Sequence, residues 1–156
     1  MLKMQKLITV RHGHHQWGEL SEEGKKQIAD LVPRLKLILG DYNKSTVAVL
    51  SSTSLRTKQS GEIIAGEFGV TNQPLGVFLY DNYDMFGNVQ LRDWIVEGVK
   101  SHEANIVIIV THFEAPAAIL NIFSQARFGK KVGCFQTANG FANLLNLETG
   151  EVILGI

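Results

Sequence analysis

The sequence predicts an α/β protein: a three-layer α/β/α sandwich around a mostly parallel sheet. Three observations carry this. Short apolar runs rich in β-branched residues recur along the chain, each followed by a segment with helical apolar spacing. The runs end abruptly in polar residues, as buried strands do. The last two runs face each other across Glu148-Thr149-Gly150-Glu151, which reads as a hairpin turn and so as an antiparallel addition to the sheet.

The first run, Leu7-Ile8-Thr9-Val10, is a strand that stops at Arg11-His12-Gly13-His14-His15. Gln16 to Leu20 reads as a loop. Ser21 is a good N-cap, and Glu22 and Glu23 suit the positive end of a helix dipole. Ile28, Leu31, Val32, Leu35 and Ile38 recur at helical spacing; Pro33 lies within them and is expected to bend the helix, and Gly40 ends it. Thr46–Leu50 is the second strand, leading through Ser51-Ser52-Thr53-Ser54 to a helix that begins at Leu55-Arg56 and ends near Gly69. Pro74–Tyr80 reads as a third strand. Asp81–Gly87 is a loop with two acids and large apolar residues, followed by a helix through Val89, Leu91, Trp94, Ile95 and Val99. Ile106–Val110 is the most apolar run and is expected at the sheet centre. It meets Thr111-His112-Phe113-Glu114, and Pro116 suits the first turn of the next helix. Gly140–Leu147 and Val152–Leu154 complete the sheet.

The chain has 156 residues, which suits a single domain over 1–156, and no repeat or linker divides it. Fifteen basic residues balance fifteen acidic ones, so neither a nucleic-acid partner nor a membrane surface is expected. The N-terminus lacks an apolar signal core, and no apolar run approaches the roughly 18 residues that span a bilayer. A cytoplasmic protein is the expectation. The lone cysteine, Cys134, reads as a free structural thiol.

If the three apolar strands run parallel, Arg11-His12, Arg56 and His112 meet at one sheet edge, where α/β proteins bind ligands. Two arginines and two histidines make a dianion pocket. Gly13 would let a ligand approach the backbone closely. Arg11 and Arg56 offer planar forks for phosphoryl oxygens. His12 is placed to attack phosphorus and form a phosphohistidine, with His112 as an imidazolium donating a further hydrogen bond. The leaving group needs a proton, which a carboxylic acid with a raised pKa supplies in many enzymes.

These residues fall in a pattern that resembles the histidine phosphatase superfamily, with its phosphoglycerate mutase-like fold. Val10-Arg11-His12-Gly13 resembles the family signature. Leu20-Ser21-Glu22-Glu23-Gly24-Lys25-Lys26-Gln27 resembles its first helix start. Ser51 to Ser60 resembles its serine-rich turn with arginine, and Ile108-Ile109-Val110-Thr111-His112 resembles the strand that ends in the second histidine. The likeness spans roughly residues 5 to 147, and four motifs in order are specific where one would not be. It implies a phosphorylated nucleophile at His12, a pocket completed by Arg11, Arg56 and His112, and no metal or other cofactor. The chain's compactness is closest to the short phosphohistidine phosphatases. The substrate is then a phosphomonoester or phosphoramidate, carried by a small molecule or a phosphohistidine protein.

The departures bear on chemistry. His14 stands where the family usually has an acid. Leu79-Tyr80-Asp81 is the nearest match to the segment that carries the proton donor, which makes Asp81 the candidate; Glu114 is the other, and the resemblance to the short members, with their open site, implies less need of a strong acid. Two other readings share these residues: a non-catalytic phosphate-binding protein on the same fold, and a metal-dependent hydrolase built on His12, His14 and His15. His14 and His15 read otherwise as pocket-mouth or solvated loop residues. Trp17 reads either as a cover for the pocket or as a core residue.

Overall fold

The computed structural model describes residues 4–42, 46–79 and 89–156. Its main sheet has six strands: β1 (Lys6–Arg11), β4 (Val47–Ser51), β5 (Asn72–Pro74), β6 (Ile106–Thr111), β7 (Ala142–Asn146) and β8 (Val152–Ile153). Their order is β5-β4-β6-β1-β7-β8. The first four in that order are parallel, and β7 and β8 add antiparallel at one side. A separate two-stranded ribbon, β2 (His15–Gln16) and β3 (Glu19–Leu20), follows β1.

Helices α1 (Glu22–Leu39) and α2 (Leu55–Phe68) cover one face, and α3 (Val89–Lys100) and α4 (Ala115–Phe128) cover the other. Strand alternation decides which side chains go where. Ile8 and Val10 of β1 join Ile28, Leu31 and Leu35 of α1 and Ile64 and Phe68 of α2. Leu7 joins Ile95 and Val99 of α3 and Ile119 and Phe123 of α4. The polar residue in β1, Thr9, is also fully buried; its hydroxyl donates to the Pro116 carbonyl at 3.0 Å, tying α4 to the sheet. β6 lies between β4 and β1 and is buried along its whole length, as its apolar composition requires.

Several local expectations are corrected. The third strand is not Pro74–Tyr80: it ends at Pro74, and Gly76–Leu79 is a 3₁₀ turn. Proline has no N–H to continue a ladder and is confined to such ends. The apolar Phe78 is buried from that turn, and Thr111 donates to its carbonyl at 2.8 Å. α1 continues through Pro33 to Leu39. Pro33 lies on the solvent face, so the Ala29 carbonyl it leaves without an N–H partner is also on an exposed residue.

The segment after Gly13 is a hairpin rather than a loop. Trp17 and Gly18 both have positive φ, 54° and 81°, the requirement of a type I′ turn. Trp17 at its tip is fully exposed and takes no part in the core. Cys134 is a free thiol, as expected, and is exposed.

Gly13 and Gly24 serve packing between the β1 turn and α1. A Cβ on Gly24 would stand 2.0 Å from the His14 carbonyl oxygen, and one on Gly13 would stand 2.5 Å from that of Gly24. Gly13 thus allows the close approach of α1. Backbone on both sides leaves no side chain to yield. Gly24→Ala is expected to destabilise the fold by about 3 kcal/mol, measured as a lower denaturant midpoint at unchanged slope. A loss under about 0.5 kcal/mol, the size of an ordinary surface change, would refute the packing role.

Candidate active site

The ends of β1, β4 and β6 lie side by side, paired Arg11 with Thr111 and Ser51 with Val110. The turns beyond them carry the site. The His12 N–H donates to the Thr111 carbonyl at 3.2 Å, and the Ser52 N–H donates to that of Val110 at 3.1 Å. The strand ladder therefore runs directly into the chemistry-bearing residues.

His12 is 2% exposed and His112 is 6% exposed. Arg56, from the first turn of α2, bridges them. Its Nε donates to His12 Nε2, and its Nη2 to His112 Nδ1, both at 3.3 Å. A guanidinium can only donate, so both ring nitrogens are acceptors. The remaining protons follow. His12 Nδ1–H donates to the Gly13 carbonyl at 2.8 Å, and His112 Nε2–H donates to the Ser52 hydroxyl at 2.7 Å. Ser52 in turn meets Thr57 and Ser54, and Thr57 reaches the carbonyls of Ser52 and Ser54. Both imidazoles are held neutral, in opposite tautomers.

Their titration agrees. Burial pushes His12 down to about 4, and the positive charges of His112, Arg56 and His15 act in the same direction against its bond to Gly13. Burial also pushes His112 down to about 4, followed by Arg56, His15 and Arg11. His112 is thus neutral in this arrangement, whereas the imidazolium expected from sequence is the form that donates to a phosphoryl group. A bound dianion would favour its charged form.

Arg11 stands on the other side of this cluster. Its Nη1 donates to the Thr137 carbonyl at 3.1 Å, and its guanidinium lies 5.2 Å from the ring centre of Phe113. Its Nε is buried and has no hydrogen-bond partner among the described residues. An unpaired buried donor costs about 1–3 kcal/mol, and an anion in the pocket is one way to satisfy it. Phe113 has φ of 44°, uncommon for a bulky residue, and such strain is concentrated at functional sites.

His14 and His15 part company. His14 Nδ1 meets the Ser21 hydroxyl at 2.7 Å and lies 3.8 Å from Glu23; its N–H donates to Gln27. It belongs to the α1 N-terminus, where Ser21 caps Gly24 N–H at 3.0 Å. His15 is exposed and stands edge-on to His12, with ring centres 5.4 Å apart, the same separation as His12 from His112. The three imidazoles of residues 12 to 15 therefore do not converge, and no group of three His, Cys, Asp or Glu side chains among the described residues is placed to hold a metal ion. Asp81, the sequence candidate for proton donor, lies outside the described residues. Glu114 is exposed at the start of α4. Among the described residues, the groups that shift His12, His15 or His112 are arginines, histidines and the Gly13 backbone.

Sequence reasoning did not find the work of Gln59 and Ser60. Gln59 accepts from the Leu20 N–H at 2.8 Å, and Ser60 accepts from the Gly13 N–H at 3.2 Å. They clamp α2, and with it Arg56, onto the His12 turn. Their place three and four residues beyond Arg56, on the same helical face, was the available signal.

No family model matches the sequence, and no curated protein sequence matches it. Solved structures do match by fold. A native mycobacterial glucosyl-3-phosphoglycerate phosphatase superposes with a TM-score of 0.63 at 16% identity, covering 97% of each chain. The protein histidine phosphatase SixA, complexed with tungstate, gives 0.61 at 16% identity, over 97% of this chain and 94% of that one. Bacillus stearothermophilus YhfR gives 0.59 at 18% identity, over 97% and 95%. The architecture is that of the phosphoglycerate mutase-like fold, as the four motifs led one to expect.

Proposed function

We propose that the chain is a phosphatase that works through a phosphohistidine on His12. The observation that carries this is Arg56 donating to both His12 Nε2 and His112 Nδ1. That contact puts a neutral nucleophile and a phosphoryl-binding fork in one buried place. Fold neighbours described as phosphatases support the reading.

When a phosphoryl dianion enters, Arg56 turns its donors from the two rings to phosphoryl oxygens, and Arg11 and His112 take the others. The freed lone pair on His12 Nε2 attacks phosphorus in line. The bond to the leaving atom breaks, and that atom keeps the electron pair and takes a proton. Water then attacks phosphorus, the P–Nε2 bond breaks, and inorganic phosphate leaves. The Gly13 carbonyl holds the Nδ1 proton throughout and so presents Nε2 as the attacking atom. The substrate is a phosphomonoester or phosphoramidate on a small molecule or a protein histidine.

Turnover of an aryl phosphate, unaffected by a chelator, is the expected result. Chelator-sensitive turnover would point to a metal-dependent hydrolase instead. A second reading is a non-catalytic phosphate binder: His14, which stands where the family pattern usually has an acid, is engaged with Ser21. Turnover that disappears in His12→Ala excludes this second reading.

The role of Asp81 has its own test. As proton donor, Asp81→Asn should slow phenyl phosphate hydrolysis by roughly 10²-fold or more and 2,4-dinitrophenyl phosphate far less. Equal slowing of the two removes Asp81 from that role.

A further inference from the structure

We infer that His15 is the acid that protonates the leaving group and the base that then activates water. The assignment rests on the phosphatase reading above and names a residue that reading does not need. Attack by His12 Nε2 fixes where such a group must stand. Phosphorus in near-attack range is about 3–3.5 Å from the nitrogen, and the leaving atom lies on its far side, about 5 Å away. A donor has to sit beside the His12 ring and on the solvent side of it. His12 and His112 are buried, and His112 is tied to Ser52 in its depth. His15 is edge-on to His12 at 5.4 Å and exposed, which meets both conditions.

The hairpin explains how the position is held. His15 pairs with Leu20 across the type I′ turn, and Leu20 is buried. The N–H of Leu20 is bound by Gln59 of α2, three residues from Arg56. The His15 backbone is thereby anchored to the helix that carries Arg56.

Among the described residues, the groups that shift His15 or are shifted by it are basic: His12 on β1's turn, His14 beside it, Arg56 on α2, Arg11 at the end of β1, and His112 beyond β6. Slight burial comes first among the causes that lower its pKa, followed by Arg56, His14 and Arg11. A phosphoryl dianion reverses that balance, because it neutralises the arginines and favours imidazolium. The site then takes up one proton with the dianion, or binds the monoanion and passes its proton to His15. As the bond to the leaving oxygen breaks, that oxygen takes the proton and an alcohol leaves. Neutral His15 next removes a proton from water as its oxygen attacks phosphorus, and the imidazolium is restored. A cationic acid also suits a pocket that no described carboxylate serves.

The test compares leaving groups. His15→Gln is expected to slow phenyl phosphate at least roughly 10²-fold more than 2,4-dinitrophenyl phosphate, and to remove the alkaline limb of kcat/KM against pH for phenyl phosphate. In a parallel nitrogen NMR titration of the wild-type protein, saturating tungstate should raise the His15 pKa by about one unit or more, the size of an opposite charge close by. Equal slowing of both esters, with the alkaline limb kept, would mean that His15 only binds, and overturns the assignment. So would a leaving-group-dependent loss in Asp81→Asn with none in His15→Gln. An unmoved His15 pKa under tungstate overturns it as well. Wild-type protein inert toward both esters would defeat the phosphatase reading, and this assignment with it; equal slowing in an active enzyme defeats the assignment alone.

Discussion

Replacing His12 by alanine is expected to lower kcat/KM by roughly 10⁴-fold or more, the scale seen when a nucleophile is removed from a cooperating set. The same change should abolish a phosphoryl label on the protein. With a labelled substrate quenched during turnover, the wild-type chain should carry phosphate that is lost in acid and survives base, as a phosphoramidate bond does. His12 meets Arg56, His15 and His112 at once, so the loss falls on the group they surround. Arg56 holds its Nε2, Gly13 fixes its other proton, and His15 and His112 meet its ring from two sides. The pH dependence follows from the same geometry. Burial and the surrounding positive charge hold His12 down to about 4, so the nucleophile is already neutral through the physiological range. The free enzyme should therefore show no limb from His12 between pH 5 and 8; its acid limb lies near pH 4. Because His12 is buried, His12→Asn, which keeps a polar side chain of closer volume, serves as the second variant; both should keep a cooperative unfolding transition. Label on another residue, or none in an active enzyme, would sink the mechanism.

The residues that meet in the pocket were legible from sequence because they follow apolar runs. β1, β4 and β6 are buried on both faces, so their composition marks them plainly, and a parallel arrangement puts their ends together. Arg11, His12, Arg56 and His112 follow from that alone. What lay beyond the sequence was decided by contacts distant along the chain. His14 and His15 are adjacent and alike, yet His14 bonds Ser21, the N-cap of α1, while His15, the first residue of β2, lies against His12. A two-residue strand carries too little pattern to announce itself. Trp17 in a left-handed conformation is a poor guess for any turn, and nothing local signals it. The packing role of Gly13 was not legible either: the atom closest to its missing Cβ belongs to Gly24 in α1. The charge state of His112 also needed the fold. Its residue type suits an imidazolium; its burial and the donor from Arg56 favour the neutral form.

Arg56→Ala should cost roughly 10³- to 10⁵-fold in kcat/KM, the range attributed to an arginine that stabilises a transferring phosphoryl group. The structure adds a second consequence, opposite in sense to a simple loss of function. Arg56 is among the charges that depress both site histidines. Without it, the pKa values of His12 and His112 should rise, and stay below the ordinary 6.5 because burial is the larger cause in each. Free imidazole signals followed by NMR against pH would show both movements. Arg56→Lys separates charge from shape. A lysine restores a positive charge, so the two pKa values should return toward those of the wild type. It has one nitrogen, however, where Arg56 uses Nε on one ring and Nη2 on the other. A single ammonium cannot span the two acceptors or the two phosphoryl oxygens that replace them. Most of the rate should therefore stay lost in the lysine variant even as the titrations recover. Full activity in Arg56→Lys would show that Arg56 contributes charge alone. Unmoved histidine pKa values in Arg56→Ala would show that it does not sit where its two hydrogen bonds place it.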